Sequence, residues 1–161
     1  MNLAIDVGNT RVKIAVFEKD KLVELFVFPK TKILSAIKEI LRKHEISIGI
    51  MSNVASISDS KFKKLKNLVQ IHVISSFTEV PFKNLYKTPK TLGVDRIALV
   101  AGAVSQFSGH NVLVIDAGTC ITFDFVNSEG EYIGGAISPG LKMRFNSLNY
   151  FTANLPLLEI D

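Results

Sequence analysis

The sequence contains one cysteine, Cys120, and has no apolar run long enough to cross a membrane. One thiol cannot form an internal disulfide, so we expect a protein of the reducing cytoplasm, in which Cys120 is a small buried side chain. The longest apolar stretches, Ile97–Val104 and Val112–Ile115, are far shorter than the roughly 20 residues that a bilayer requires. Asp6 interrupts the N-terminal apolar run and no basic segment precedes it, so we expect no secretory signal.

Charge of one sign is only slightly in excess, since the formal net charge is +4. Many of the cations fall in Lys30–Lys43 and Lys61–Lys66, which resemble the polar faces of amphipathic helices, and no known nucleic-acid-binding module accompanies them. We therefore expect neither a nucleic acid nor a membrane as a partner, although a mildly basic surface helps to attract small anions. Apolar residues make up 47% of the 161 residues, which argues against a disordered or fibrous protein.

The hydrophobic pattern predicts strands followed by helices, twice along the chain. Strands are expected at Asn2–Val7, Arg11–Phe17, Lys21–Phe28, Ile46–Met51, Val69–Ile74 and Asn111–Ile115. Helices are expected at Lys32–His44, Asp59–Leu68 and Val94–Phe107. This order of elements is typical of an α/β protein.

The strand pattern restarts after 110 residues. The sequence of Leu3–Asn9 aligns with that of Leu113–Thr119, and in the same gapless register Val12–Val16 aligns with Thr122–Val126. A period of this length indicates a duplicated domain rather than a solenoid. We expect an N-terminal lobe over residues 1–108 and the first part of a second lobe over residues 109–161. Because the second copy reaches only the equivalent of Met51, we expect that lobe to be incomplete and the chain to be a fragment.

Each copy ends its first strand with an Asp-x-Gly turn, at Asp6–Gly8 and at Asp116–Gly118. We expect the glycine to adopt a positive φ and, having no Cβ, to let backbone N–H groups approach an anion closely, with Asn9 and Thr10 as further donors. Two such turns that face each other would hold a polyphosphate, with Asp6 organising magnesium. Alternatively, both are ordinary hairpin turns whose aspartates accept backbone hydrogen bonds.

Two other segments carry candidate chemistry. At the start of a predicted helix, Asp95 complements the helix dipole, whereas Arg96 opposes it and so needs a carboxylate or phosphate to contact. This pair has the character of a base beside an anion-binding group. Gly134–Gly140 is expected to be a glycine-rich loop that enters a helix near Pro139, placed there either for a ligand or for a tight connection.

In order, Asp6–Thr10, Gly93–Arg96, Asp116–Thr119 and Gly134–Gly140 resemble the motifs of the type III pantothenate kinases, and the tail Leu148–Pro156 is similar too. The resemblance covers the whole chain. It implies an α/β fold of duplicated actin-like, ribonuclease H-like lobes with mixed sheets flanked by helices, as in sugar kinases, heat-shock ATPases and actin. It also implies phosphorylation of pantothenate by ATP, the first step of coenzyme A biosynthesis.

The resemblance also implies roles for individual residues. The residues expected to bind ATP are Asp6, Val7, Gly8, Asn9, Thr10, Arg11, Val12, Lys13 and Thr119. Those expected to line the pantothenate site are Tyr86, Gly93, Val94, Asp95 and Arg96, with Asp95 as the base and Arg96 on the carboxylate. Asp116 would hold a monovalent cation, potassium or ammonium, and Asp6 would hold magnesium through water. Since phosphoryl transfer depends mostly on positioning and charge neutralisation, Asp95 needs only to orient the hydroxyl and accept its proton late.

Family members are expected to be homodimers that continue beyond Asp161, where they carry further nucleotide contacts and a threonine given to the partner's substrate. The alternative is a non-catalytic nucleotide-binding or regulatory member of the same superfamily, since this fold also serves proteins whose output is conformational. The presence of both Asp95 and Arg96 favours the enzyme. A phosphatase or another small-molecule kinase is a third possibility, and the histidines have no metal-ligand spacing.

Overall fold

The computed structural model describes residues 1–55 and 57–159. The chain forms two compact units, one made of Met1–Thr78 with Gly93–Asp95 and the other of Glu79–Leu92 with the chain from Arg96 onward. These units reflect packing within the chain, whereas the predicted boundary between residues 108 and 109 refers to the two copies of the repeat and stays a prediction. The last two residues of the predicted second lobe, 160 and 161, lie outside the described residues.

The first unit contains a five-stranded mixed sheet. Its strands are β1 (Asn2–Val7), β2 (Arg11–Glu18), β3 (Lys21–Pro29), β4 (Ile48–Asn53) and β5 (Ile71–Val73). They lie in the order β3-β2-β1-β4-β5, in which β1, β2 and β3 pair antiparallel, and β4 and β5 continue the sheet in parallel. Helices α1 (Ile33–Lys43) and α2 (Asp59–Lys66) belong to the same unit.

One face of this sheet forms the core, because apolar side chains alternate along β1 and β2. The side chains that share this face are each at most 2% exposed, and they are Leu3, Ile5, Val7, Val12, Ile14 and Val16. Ile33, Ile37 and Ile40 of α1 join the same cluster at the spacing of one helical face. The opposite face of β1 and β2 carries the polar side chains of Asp6 and Lys13.

The second unit contains a four-stranded mixed sheet in the order β6-β9-β8-β7. Its elements are β6 (Lys83–Asn84), α3 (Val94–Gln106, whose first two residues belong to the first unit), β7 (Val112–Ala117), β8 (Cys120–Val126), β9 (Glu131–Pro139) and α4 (Leu141–Tyr150). Among the described residues, this sheet has no strands that correspond to β4 and β5. Leu113 and Ile115 are each 56% exposed, although they correspond to the buried Leu3 and Ile5, which pack against α1 in the first unit.

The predicted elements of both units are present, and their predicted ends lie within two residues of the observed ones. The glycine-rich loop predicted at Gly134–Gly140 is wrong, because the chain up to Pro139 belongs to β9 and α4 begins at Leu141. Within residues 1–55 and 57–159, no helix combines the length and the apolar character that spanning a membrane needs.

The repeat is present, but its predicted gapless alignment is wrong for the second strand. In the first unit Val7 pairs with Val12, whereas in the second unit Ala117 pairs with Ile121, so the second turn is one residue shorter. Val12 therefore corresponds to Ile121 and not to Thr122. The difference matters because a shift of one residue moves every side chain of a strand to the other face of the sheet. The gapless alignment therefore assigned the residues of β8 to the wrong faces.

The next turn is one residue longer in the second unit and restores the register. Ile14 pairs with Phe26 in the first unit, and Phe123 pairs with Ala136 in the second, so β9 again follows the period of the sequence. Both copies then carry a β-bulge at the same place, between Val16 and Phe17 and between Phe125 and Val126. Bulges are specific local features, so their equivalence supports a common origin of the two units.

Candidate active site

The first Asp-x-Gly turn joins β1 to β2. The N–H of Gly8 donates to the carbonyl oxygen of Arg11 at 3.1 Å, and a Cβ on Gly8 would lie only 3.2 Å from that oxygen. Neither Gly8 nor Gly118 of the second turn has a positive φ, so that part of the prediction is wrong and Gly8 serves to keep the turn narrow. Asn9 and Thr10 at the tip are exposed, as an anion-binding turn requires.

Asp6 lies on the face of the first sheet opposite the core, between two polar neighbours. Lys13 of β2 and Ser52 of β4 are its register partners on either side. Lys13 is exposed, whereas Ser52 is 6% exposed and its hydroxyl has no hydrogen-bond partner among the described residues. A carboxylate, an ammonium and a hydroxyl thus form a row across three strands. Sequence reasoning found Asp6 and Lys13 but missed Ser52, because only the parallel pairing of β1 with β4 places it there.

The second Asp-x-Gly turn supports the start of α4. The N–H of Gly118 donates to the carbonyl oxygen of Cys120 at 2.9 Å, and the N–H of Gly140 donates to that of Thr119 at 3.0 Å. A Cβ on Gly140 would overlap the carbonyl oxygens of Gly118 and Thr119, so this glycine is required for close packing. Thr119 is exposed, and Cys120 is half-buried rather than buried as predicted, with its Sγ 4.0 Å from Sδ of Met143.

Asp116 has a neighbour of different character from that of Asp6. Its register partner in β8 is Thr122, which occupies the position that Lys13 has in the first unit. Thr122 is 8% exposed and its hydroxyl has no hydrogen-bond partner within the described part of the chain. Oxygen ligands without a neighbouring ammonium suit a hard cation. In residues 1–55 and 57–159, no three histidine, cysteine or acidic side chains cluster as a metal site.

The Gly93–Arg96 segment begins α3, with Asp95 half-buried in its first turn. Arg96 is only 4% exposed, and its Nε and Nη2 donate to Oδ1 of Asp124 at 2.9 and 2.6 Å. The anion that Arg96 contacts here is thus a carboxylate of its own chain, 28 residues away. Contact of Arg96 with a substrate stays a prediction.

Two tyrosines complete this buried cluster. The hydroxyl of Tyr132 donates to Oδ1 of Asp124 at 2.6 Å, and both residues are 0% exposed. The ring of Tyr86 stacks on that of Tyr132 with a centroid separation of 5.9 Å, and the Arg96 guanidinium carbon lies 5.7 Å from the Tyr86 ring centre. We call Tyr86, Arg96, Asp124 and Tyr132 the arginine cluster. Beyond the motifs, the sequence signal for this cluster is the carboxylate of Asp124 within a largely apolar strand.

Two glycines of β9 lie beside the arginine cluster. Gly134 has a φ of +135°, and a Cβ there would lie 3.5 Å from the Tyr86 ring. A Cβ on Gly135 would overlap the backbone carbonyl oxygen of Phe123 and lie 3.0 Å from Nη2 of Arg96. Gly134 thus serves a backbone conformation that other residues rarely adopt, and Gly135 serves the close approach of β8 to β9; neither lies in the loop that the sequence predicted.

Burial and hydrogen bonding fix the protonation of the cluster. Burial, followed by the hydrogen bond to Asp124, raises the pKa of Tyr132 well above its ordinary value of 10.0. Burial disfavours the charged form of Arg96, but its hydrogen bonds to Asp124 outweigh this and raise its pKa. Arg96 is therefore cationic and Tyr132 neutral at physiological pH.

We predict that Tyr132 makes the protein less stable at alkaline pH. A group whose pKa is raised by folding contributes stability that is complete below its unfolded value, about 10 for tyrosine, and is lost as the pH rises above it. Tyr132→Phe should therefore flatten the fall in the free energy of unfolding between about pH 9 and 11. Urea unfolding at a series of pH values measures this. Tyr150→Phe, at a tyrosine that is 80% exposed, is the control, and equal slopes in the parent and in Tyr132→Phe would contradict the prediction.

Comparison with known proteins decides the family. The family model described as type III pantothenate kinase matches residues 2–161. This chain belongs to the type III pantothenate kinase family. A type III pantothenate kinase of Flavobacterium johnsoniae is 46% identical over 162 residues, which cover 100% of this chain and 66% of the relative. That of Christiangramia forsetii is 49% identical over 159 residues, which cover 98% of this chain and 65% of the relative.

The chain thus spans about two thirds of the length of these family members. Among solved structures, a Baf family transcriptional activator from Campylobacter jejuni is similar with a TM-score of 0.59 and 22% identity, over 93% of this chain and 60% of that one. The ethanolamine utilization protein EutJ from Carboxydothermus hydrogenoformans has a TM-score of 0.52 at 9% identity, over 96% and 57% of the two chains. At these identities the likeness concerns the fold alone. The predicted α/β class, with mixed sheets flanked by helices, is confirmed.

Proposed function

We propose that this protein transfers the γ-phosphoryl group of ATP to the hydroxyl of pantothenate, the first step of coenzyme A biosynthesis. The observation that carries the proposal is the family match over residues 2–161, together with relatives that bear the name of this kinase. In the reaction, the hydroxyl oxygen bonds to the γ-phosphorus, the bond to the β-phosphate oxygen breaks, and the hydroxyl proton leaves. Catalysis of such a transfer requires positioning and charge neutralisation rather than covalent chemistry by the protein.

Residues 6–13 are proposed to contact the phosphates of ATP, and Thr119 is proposed as a further contact. The support is the narrow Gly8 turn with exposed polar groups at its tip, and the exposed ammonium of Lys13 beside Asp6. Asp95 is proposed to take the hydroxyl proton, and Arg96 and Tyr86 to contact pantothenate. The arrangement of the two Asp-x-Gly turns around one nucleotide stays a prediction.

Two cations are part of the proposal. Asp6 is proposed to hold magnesium through water, and its fit is supported by the buried hydroxyl of Ser52 beside it, which has no hydrogen-bond partner within residues 1–55 and 57–159. Asp116 is proposed to hold potassium or ammonium, and its fit is supported by the hydroxyl of Thr122 on the neighbouring strand, for which the described part of the chain offers no hydrogen-bond partner. When bound, magnesium neutralises the phosphate charge that grows during transfer.

Two further properties are proposed on narrower grounds. A homodimer follows from the resemblance to the family alone, and sedimentation of the purified protein tests it. The cytoplasm as compartment is supported by the single, half-buried Cys120, since disulfides mark oxidising compartments.

The experiment is a phosphoryl-transfer assay with ATP and pantothenate, with and without potassium or ammonium. It compares the 161-residue chain, a chimaera in which residues 1–161 precede the remaining part of the Flavobacterium johnsoniae relative, and that relative as the positive control. We expect phosphorylation of pantothenate by the chimaera, dependent on the monovalent cation. An active relative beside a folded chimaera that leaves pantothenate unmodified would refute the proposed function. ATP binding or hydrolysis in that case would support the non-catalytic or phosphatase alternatives.

A further inference from the structure

We infer that two copies of this chain associate edge to edge through β7, so that their two four-stranded sheets become one continuous sheet. In the order β6-β9-β8-β7, β7 pairs with β8 on one side and has no strand on its other side among the described residues. The inference concerns the second unit alone and does not depend on the proposed kinase activity. It follows from the backbone and the side chains of the segment Asn111–Ala117.

The backbone of β7 presents hydrogen-bonding groups at this free edge. In an antiparallel pair, every second residue bonds to the partner strand, and the residues between them direct their N–H and C=O groups to the other side. The N–H of Gly118 donates to the carbonyl oxygen of Cys120 on the β8 side, so every second residue back from Gly118 bonds to β8. Leu113, Ile115 and Ala117 therefore direct their backbone groups to the free edge.

The first unit shows what these backbone groups do when a neighbouring strand is present. β1 is the repeat equivalent of β7, and its residues Leu3, Ile5 and Val7 correspond to the three that face the edge in β7. On that side β1 pairs with β4, and the carbonyl oxygen of Val7 accepts a hydrogen bond from the N–H of Val54 at 3.2 Å. The outward backbone groups of β7 thus have the direction that pairing with a further strand requires.

β7 lacks the features that usually protect a sheet edge from other chains, which are a short strand, lysine, proline, a charge or a bulge. The other edge of the same sheet, β6, has two residues, one of which is Lys83. In the first sheet, β5 has three residues, and β3 carries Glu24, Pro29 and a β-bulge. β7 has six residues without lysine, arginine or proline, and its register with β8 is regular. Of these four edges, β7 is the most open to another chain.

The side chains at this edge are apolar and exposed. Leu113 and Ile115 are each 56% exposed, and Phe125 of β8, the register partner of Leu113, is 39% exposed. An antiparallel second copy centred on Val114 places Leu113 opposite Ile115 of the other copy, so a two-fold axis covers both apolar pairs. One strand from each chain buries less than the roughly 1,600 Å² of a standard interface, so we expect a dissociation constant in the micromolar range.

The charges of the segment agree with a second copy as the occupant. In the register centred on Val114, the whole of Asn111–Ala117 pairs, and Asp116 of each copy lies opposite Val112 of the other. The two Asp116 carboxylates are then four positions apart along the strands, about 13 Å, which is beyond the Debye length at physiological salt. The exposed His110 lies diagonal to Asp116 of the other copy, where a protonated imidazole and a carboxylate attract each other.

Sedimentation velocity of the 161-residue chain between about 1 and 500 µM tests the inference. We expect a dimer that forms with rising concentration. The amides of Leu113, Ile115 and Ala117 should exchange with solvent about tenfold more slowly once roughly nine tenths of the chain is dimeric. A chain that stays monomeric over this range would overturn the inference. So would slow exchange of these amides in the monomer, because another segment of the same chain would then cover the edge.

Leu113→Lys tests the side chains of the edge, and Leu25→Lys is its matched control. Both leucines lie in edge strands and both are 56% exposed, but Leu25 belongs to β3 of the first unit. We expect Leu113→Lys to weaken dimerisation at least about tenfold, because lysine at a sheet edge opposes pairing, and Leu25→Lys to leave it unchanged. Equal dissociation constants for the two folded variants would assign the association to another surface and overturn the inference.

Ile115→Pro tests the backbone instead of the side chain. Proline removes the N–H that faces the free edge and no hydrogen bond to β8, so the monomer should still fold. We expect this variant to remain monomeric at concentrations at which the parent is dimeric. A folded Ile115→Pro that dimerises like the parent would overturn the inference. Should it not fold, Leu113→Lys and the exchange of the parent amides decide.

The chimaera tests the other occupant that this edge could have. If the chimaera protects the amides of Leu113 and Ile115 while the 161-residue chain is monomeric at every concentration, the edge belongs to a segment of the longer chain. That result would overturn the inference and leave the proposed function intact. Loss of the dimer in Leu113→Lys together with slow exchange in the dimeric parent would support it.

Discussion

Asp95→Asn is expected to lower the turnover of pantothenate phosphorylation about 10²–10⁴-fold, the usual effect of removing a general base, with a much smaller change in KM. Asparagine has nearly the same shape as aspartate and can still accept a hydrogen bond from the substrate hydroxyl. It cannot take the proton that the hydroxyl loses during transfer. Steady-state kinetics of the chimaera with varied pantothenate and saturating ATP measure the two constants separately.

Asp59→Asn is the matched control for this substitution. Both aspartates lie in the first turn of a helix, where a negative charge complements the helix dipole, but Asp59 belongs to α2 and has no proposed catalytic role. The dipole contribution of either residue is about 0.3–1 kcal/mol and concerns stability. Turnover near that of the parent in Asp95→Asn would remove this residue from the role of base. A comparable loss in Asp59→Asn would assign the effect to helix stability instead.

Gly135→Ala is expected to destabilise the second unit by about 3 kcal/mol or more, the upper range for overpacking in a rigid site. The added Cβ overlaps the backbone carbonyl oxygen of Phe123 on the paired strand, which cannot rotate away as a flexible side chain could. The separation of β8 and β9 would have to increase, and their hydrogen bonds would weaken. Urea unfolding gives the change in free energy, and hydrogen exchange locates it in these two strands.

Gly102→Ala is the matched control for Gly135→Ala, because it adds the same methyl group where nothing lies within 4 Å. Gly102 is inside α3, where alanine favours the helix by about 0.8–1 kcal/mol relative to glycine. We therefore expect the two substitutions to have opposite signs. Equal stability of the two variants would mean that β9 does not approach β8 as closely as the structure has it. The arginine cluster would then lose one of its supports.

Much of the fold follows from local sequence patterns. Alternating apolar residues in β1 and β2 determine the buried face, and the spacing of Ile33, Ile37 and Ile40 determines the buried face of α1. Both patterns act over a few residues, so they are visible without knowledge of the partners. The Asp-x-Gly turns and the Gly93–Arg96 segment are equally local, which is why the family could be predicted from them.

The pairing of strands is not local, and the errors of prediction arise there. The gapless repeat aligned Thr122 with the buried Val12, whereas in the structure Thr122 corresponds to Lys13 on the other face of the sheet. The cause is that the first turn of the second unit is one residue shorter and the next turn is one residue longer. The glycines of β9 were assigned to a loop, because a sequence does not show that Phe123 and Arg96 lie against them. Their space requirement arises only when β8 and β9 pair.

By itself, the sequence determined the duplicated order of strands and helices, the two acidic turns and the family, since each depends on residues adjacent in the chain. Only the tertiary structure decided the neighbours of the chemical groups, which are Ser52 beside Asp6, Thr122 beside Asp116, and Asp124 and Tyr132 around Arg96. The physical reason is that strand register and burial bring together residues far apart in the chain. A change of one residue in a turn exchanges one set of neighbours for another.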